Sequence, residues 1–132
     1  MAYGRLSGIG KATILRGTCA NPTILMTTDN ILCFCDDIDG VTGNYPSAIL
    51  TLPSTIPAPV KNFYFPVSYY ESNTWKIGTF SLHTNGNLYC RQSLNNANIC
   101  LNGLCVNLNN NFYNNTIGNN DESTMTSPIT WN

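Results

Sequence analysis

The chain has 132 residues, a net charge of −1, 42% apolar and only 10% charged residues. That length suits one domain rather than two, and an 11% aromatic content excludes a disordered chain. Six basic residues scattered from Arg5 to Arg91 exclude sequence-independent nucleic-acid binding, which needs several cations on one face, and no apolar stretch approaches the 18 residues of a membrane-crossing helix.

Taken in chain order, residues 1–11 are rich in Gly and Ser and read as an N-terminal arm, without the apolar core of a signal peptide. From there the recurring unit is a short β-branched and aromatic run closed by Gly, Pro, Asn or Asp, which is the signature of strands. Strands are predicted at 12–17, 23–28, 30–35, 48–52, 62–70, 75–83, 87–92, 98–101, 104–108 and 111–117. Thr28-Asp29-Asn30, Asn85-Gly86 and Asn102-Gly103 read as hairpin turns, the last as a two-residue type I′ turn. Pro53, Pro57 and Pro59 make 53–59 a connector outside any ladder, because proline donates no backbone hydrogen bond. Pro66 demotes the 62–70 run to an edge or bent strand. The 118–132 segment is polar and ends in Pro128-Ile129-Thr130-Trp131; Trp131 is expected to dock on its own domain or on a neighbouring copy, since an indole is costly to leave in water. No helical periodicity is sustained over a turn-forming window. The expectation is an all-β, antiparallel β-sandwich over 12–117, with jelly-roll or Greek-key-like order.

Low charge is replaced by asparagine, twenty residues in all, over half of them between Asn95 and Asn120. A neutral hydrogen-bonding surface repels identical copies weakly, which favours close assembly; nucleotide bias in an AT-rich genome gives the same composition.

Chemistry-bearing residues are sparse. Gly8-Ile9-Gly10-Lys11-Ala12-Thr13 imitates a phosphate loop but lacks the first glycine at the required spacing and precedes a strand rather than a helix. Asp36, Asp37 and Asp39 read as a solvated turn, with calcium coordination as the alternative; the carboxylate that an EF-hand needs at its twelfth position would be Pro46. His83, the single histidine, stands in no nucleophile motif and cannot hold a metal alone. Glu71 with one of the three aspartates could supply the carboxylate pair of a glycoside hydrolase, but seven acidic residues in all are little material for one. Asn114-Asn115-Thr116 fits a glycosylation pattern that chance readily produces in such a chain. Of six cysteines, Cys100 and Cys105 would face each other across a two-residue turn with a spacing suited to a disulfide. Cys33 and Cys35 share one strand face. Free thiols are the expectation for all six, because no export signal is visible.

Residues 45–113 carry a family likeness. Tyr45-Pro46-Ser47-Ala48-Ile49-Leu50-Thr51-Leu52-Pro53 and Pro57-Ala58-Pro59 precede the aromatic strand Phe63-Tyr64-Phe65-Pro66-Val67. Gly78-Thr79-Phe80-Ser81-Leu82, Thr84-Asn85-Gly86 and Leu88-Tyr89-Cys90 follow, with Ile99-Cys100-Leu101-Asn102-Gly103 and Phe112-Tyr113 closing the order. This resembles the C-terminal head domain of tailed-bacteriophage receptor-binding, tail-fibre or head-fibre proteins. The resemblance implies a homotrimeric β-sandwich of a virion, made in the host cytoplasm, that contacts a host surface saccharide and other virion proteins through its N-terminal region. From the sparse chemistry, the scattered basic residues and the lack of a long apolar stretch, the expectation beside it is no enzyme, no cofactor, no metal, no nucleic acid and no membrane insertion. Tyr69, Tyr70, Asn73 and Trp75, gathered around a Ser-Asn-Thr turn, are the candidate glycan contacts: aromatic faces stack on sugars and an amide fixes hydroxyls. The alternative for Trp75 is a core position at the start of a strand. The alternative functions are a β-sandwich carbohydrate-binding module outside any virion, and a polysaccharide-degrading enzyme with a hidden carboxylate pair.

Overall fold

A computed structural model describes residues 5–109. The predicted 111–117 strand, Tyr113, the 118–132 tail with Trp131 and the Asn114-Asn115-Thr116 triplet lie outside the described residues. Within them the chain forms β1 (Leu6–Lys11), β2 (Thr13–Ile14), β3 (Thr23–Thr27), β4 (Ile31–Phe34), β5 (Ile38–Gly43) and β6 (Leu50–Thr51). It continues with β7 (Phe63–Glu71), β8 (Thr74–Leu82), β9 (Asn87–Cys90), β10 (Leu94–Ile99) and β11 (Cys105–Asn107), without a helix among the described residues. Two antiparallel sheets result: a four-stranded sheet in the order β1-β3-β4-β11 and a seven-stranded sheet in the order β2-β6-β9-β8-β7-β10-β5. The expected all-β sandwich is present.

Alternation explains the well-formed strands. In β3 and β4 the side chains of Ile24, Met26, Leu32 and Phe34 are buried while those between them are half-exposed, the period-two pattern of a sheet with one face covered. They meet Phe80, Leu82 and Leu88 of the larger sheet in one core cluster. Phe80 and Leu82 are wholly inaccessible, and burial of each such side chain stabilises the fold by about 1.5–3 kcal/mol. The β3–β4 turn closes with Asn30 at φ 63° and its N–H donating to the Thr27 carbonyl at 3.0 Å.

Three expectations are corrected. Residues 6–11 are not an arm but β1, an edge strand paired with β3 from Leu6↔Thr27 to Lys11↔Thr23. Glycine here is a packing requirement: a Cβ on Gly8 would stand 2.8 Å from the Thr55 carbonyl oxygen, and one on Gly10 would stand 2.8 Å from the Pro53 ring. The proline connector therefore lies directly on β1, and the Thr55 hydroxyl donates to the Ile9 carbonyl at 2.8 Å. The acidic segment is not simply a solvated turn, because Ile38–Gly43 is a strand. Asp36 accepts from the Asn21 and Asp37 amides, and Asp37 accepts from the Asn102 amide at 2.9 Å. Pro66 does not put β7 at an edge, since β7 lies between β8 and β10. Pro66 pairs with Thr79, whose own N–H and carbonyl engage Gln92 and Arg91 on the far side. Pro66 thus sits in a non-hydrogen-bonded pair, its nitrogen faces away from β8, and on that other side β10 pairs only with Tyr69 and Tyr70, with Cys100 just beyond it bonding Ser68. The proline forfeits no ladder bond.

The chain leaving β2 also draws the ends of the larger sheet together. Thr18 and Asp39 of β5 exchange both backbone hydrogen bonds at 2.9 Å, which brings Gly17 (φ 81°) so close to β5 that a Cβ there would stand 2.5 Å from the Asp39 carbonyl oxygen.

Candidate functional site at the β7–β8 hairpin

β7 and β8 pair over nine positions, from Phe63↔Leu82 to Glu71↔Thr74. The loop between them is Ser72-Asn73, with φ 52° and 59°. Positive φ at both central residues is the signature of the type I′ turn, whose twist matches that of the flanking strands. The hairpin outruns β9, which pairs only with Phe80–Leu82 of β8, so its tip is free on that side.

Parity then separates the four predicted contacts. Tyr70 and Trp75 are directly opposite and on one face, their ring centroids 5.0 Å apart at 59°. Trp75 is 65% exposed, Ile77 on the same face is 73% exposed, and Tyr70 is half-buried beneath its partner. Asn73 is exposed at the turn beside them. Tyr69 points the other way and is buried in the core; successive strand residues face opposite sides, so it cannot join the group. Trp75 is not a core residue. The structure brings together Tyr70, Asn73 and Trp75 and adds Ile77.

The face opposite holds the tip rigid. Glu71 is buried, accepts from Lys76 Nζ at 2.7 Å through Oε1 and from the Asn95 amide at 2.7 Å through Oε2. The Lys76 ammonium and the Asn95 amide hold its carboxyl below the usual glutamate range. The carboxylate ties the hairpin to β10 and is ionised at neutral pH, which does not suit a general acid.

A second group on the outer face of the larger sheet was not foreseen. His83 packs on Tyr89 with centroids 4.3 Å apart, with Tyr45 and Tyr64 each 6.3 Å away. The Arg91 guanidinium lies 3.6 Å from the centre of the Tyr45 ring. Ser81 Oγ and His83 Nε2 share a hydrogen bond of 2.9 Å. Burial, with Arg91 nearby, lowers the His83 pKa and so favours the neutral ring. Ser81 is wholly inaccessible, so its hydroxyl is closed to a substrate in this geometry; the cluster covers the Ser81–His83 end of the sheet's outer face. The sequence signal was the alternation of Ser81 with His83 and of Tyr89 with Arg91, which places them all on one side.

The architecture defines the chain as a two-sheet antiparallel β-sandwich with an exposed aromatic pair at the tip of the β7–β8 hairpin. It matches no protein-family model, no curated protein and no solved structure.

Proposed function

We propose that the chain is a non-enzymatic saccharide-binding sandwich, with Trp75 and Tyr70 as the stacking platform and Asn73 as the hydroxyl-binding amide. The observation that carries this reading is a tryptophan 65% exposed yet braced against a tyrosine at the tip of a rigid hairpin. An indole left in water is unfavourable, and an aromatic face preset by its neighbour loses little conformational freedom when a sugar ring lies on it. The setting we propose is a bacteriophage virion, as a homotrimeric fibre or knob component attached through its N-terminal region. Supporting it are the motif order of residues 45–113 and a surface poor in charge. Weak sites multiplied by symmetry then bind a repetitive cell surface by avidity.

The test is binding to an array of bacterial surface polysaccharides, read with the mass in solution. Binding should fall at least tenfold in Trp75→Ala and less in Asn73→Ala, with the melting temperature unchanged in both, and the mass should be that of a trimer. Undiminished binding by Trp75→Ala would remove the site. A monomer that still binds would keep the saccharide reading and remove the virion assembly.

A further inference from the structure

The four-stranded sheet brings together two thiols that lie 72 positions apart in the chain. Cys33 of β4 and Cys105 of β11 are directly opposite; Cys100, the neighbour expected for Cys105, belongs instead with the larger sheet, where its N–H donates to the Ser68 carbonyl at 3.0 Å. The pair class follows from the bonds around it. Phe34 donates to the Leu104 carbonyl at 2.9 Å and accepts from the Gly103 N–H at 3.1 Å, and the Leu108 N–H donates to the Asn30 carbonyl at 3.0 Å. Even-numbered residues of this stretch thus turn their backbone groups toward β11, and Cys33 and Cys105 form a non-hydrogen-bonded pair. Such pairs have Cα atoms about 4.5 Å apart and the closer side chains, inside the range that a disulfide spans. Both side chains lie on the sheet's outer face, away from the core that Leu32, Phe34 and Val106 enter. Cys105 is exposed and Cys33 half-buried.

We infer that Cys33 and Cys105 are an oxidation site, closed into a cross-strand disulfide by exchange with a low-molecular-weight disulfide of the glutathione type. The thiolate of Cys105, the exposed member, attacks one sulfur of oxidised glutathione, breaks its S–S bond and forms a mixed disulfide. One glutathione thiolate leaves and takes up a proton. Cys33 then gives its proton to solvent and attacks the Cys105 sulfur, displacing the second glutathione. Two protein thiols are oxidised and one glutathione disulfide is reduced to two thiols. The second step is the slower, since burial and the hydrogen bond with Cys105 push the Cys33 thiol up to about 12, and only the thiolate attacks. The product fastens β11, an edge strand of three residues, to β4. It also closes a loop that takes in every strand from β5 to β10, and long closed loops restrict the unfolded chain most.

The experiment equilibrates the native full chain in glutathione buffers of graded ratio, alkylates the remaining thiols and maps the linked peptides. The expected result is loss of two of the six free thiols with a Cys33–Cys105 linkage, and a melting temperature raised by more than about 5 °C. Cys105→Ser, at an exposed position, should fold normally, lose the linkage and lose the shift. All six thiols alkylated at the most oxidising ratio, a stable mixed disulfide on Cys105 that never resolves, or a linkage of Cys105 to Cys35 or Cys100 would each overturn the assignment. No saccharide enters this measurement, so its outcome is separate from that of the binding test.

Discussion

Two turns of this chain, Ser72-Asn73 and Asn102-Gly103, show how little a turn decides by itself. Asn-Gly is the stronger two-residue hairpin sequence, yet the strands on either side of Asn102-Gly103 belong to different sheets, while the weaker Ser-Asn sequence joins the longest hairpin of the described residues. The turns differ in conformation too. Ser72 and Asn73 both have positive φ, whereas at the second turn only Gly103 does, at 82°, so it is not type I′. The cause is the occupancy of the preceding strand. Ile99 of β10 already pairs with Tyr69 on one side and Ile38 on the other. With both edges taken, β10 offers nothing to β11, which adds to the open edge of β4 instead. β7, in contrast, had a full edge for β8.

If strand occupancy and core burial direct the second turn, its anchor should matter far more than its glycine. Leu101, 1% exposed, fills the corner where the chain changes sheets, and its carbonyl accepts from the Leu104 N–H at 2.9 Å. Leu101→Ala should destabilise the protein by about 2–5 kcal/mol in urea unfolding, the largest effect expected here. A loss under about 1 kcal/mol would mean that the turn, not the core, directs the chain.

At the first turn the corresponding anchor is polar. Glu71→Gln leaves the Lys76 ammonium and the Asn95 amide without an ionised acceptor and should cost about 1–3 kcal/mol at pH 7. The sign with pH follows from the lowered carboxyl. The contribution of Glu71 is fully present above its ordinary unfolded value near 4.5 and is lost as pH falls through the lower folded value. The stability gap between native and Glu71→Gln proteins should therefore close in acid. A gap independent of pH would show that the ion pair is not what holds the hairpin.

The same contrast explains what was legible in the sequence. β3 and β4 alternate strictly and β7 alternates from Phe65 to Glu71, while β8 and β9, buried on both faces at their inner ends, keep the aromatic and β-branched composition that locates a strand. β5 and β10 do not alternate: their buried residues fall three apart, Ile38 and Val41 in one, Leu94 and Ala97 in the other. The pairing between them shifts register between Leu94 and Ala97, where Asn96 takes φ 53°. A bulge erases the period that identifies a strand. β1 was hidden by glycines chosen for close packing against a distant connector. At the hairpin, composition located Tyr70, Asn73 and Trp75, and strand parity alone would have removed Tyr69. The partner of Cys105 was beyond reach, because it depends on sheet order and not on the nearest turn.

Gly103→Ala isolates the backbone contribution of the second turn. A Cβ at Gly103 meets nothing within 4 Å, so its cost is that of holding an L-residue at φ 82°, about 1 kcal/mol. The result should be a small drop in stability with unchanged pairing of β11, seen as retained amide protection at Val106 and Leu108. Loss of that protection would return control to the turn.

The smallest effect makes the two turns equal in sequence. Ser72 is outside the residue types that tolerate positive φ best, and an ordinary side chain there costs about 1–2 kcal/mol. The double change Ser72→Asn and Asn73→Gly relieves part of that cost, but the new glycine widens the unfolded ensemble by about 0.4–1 kcal/mol. The two terms oppose, and the net gain should be roughly 0.5 kcal/mol in urea unfolding. The Trp75 face should be undisturbed, because the Tyr70–Trp75 pair is set by the strands and not by the loop. A gain of several kcal/mol would mean that the hairpin is strained as it stands and that local turn chemistry, after all, limits it. A shift in the Trp75 fluorescence maximum would mean that the aromatic platform depends on the Ser-Asn loop as well as on the ladder beneath it.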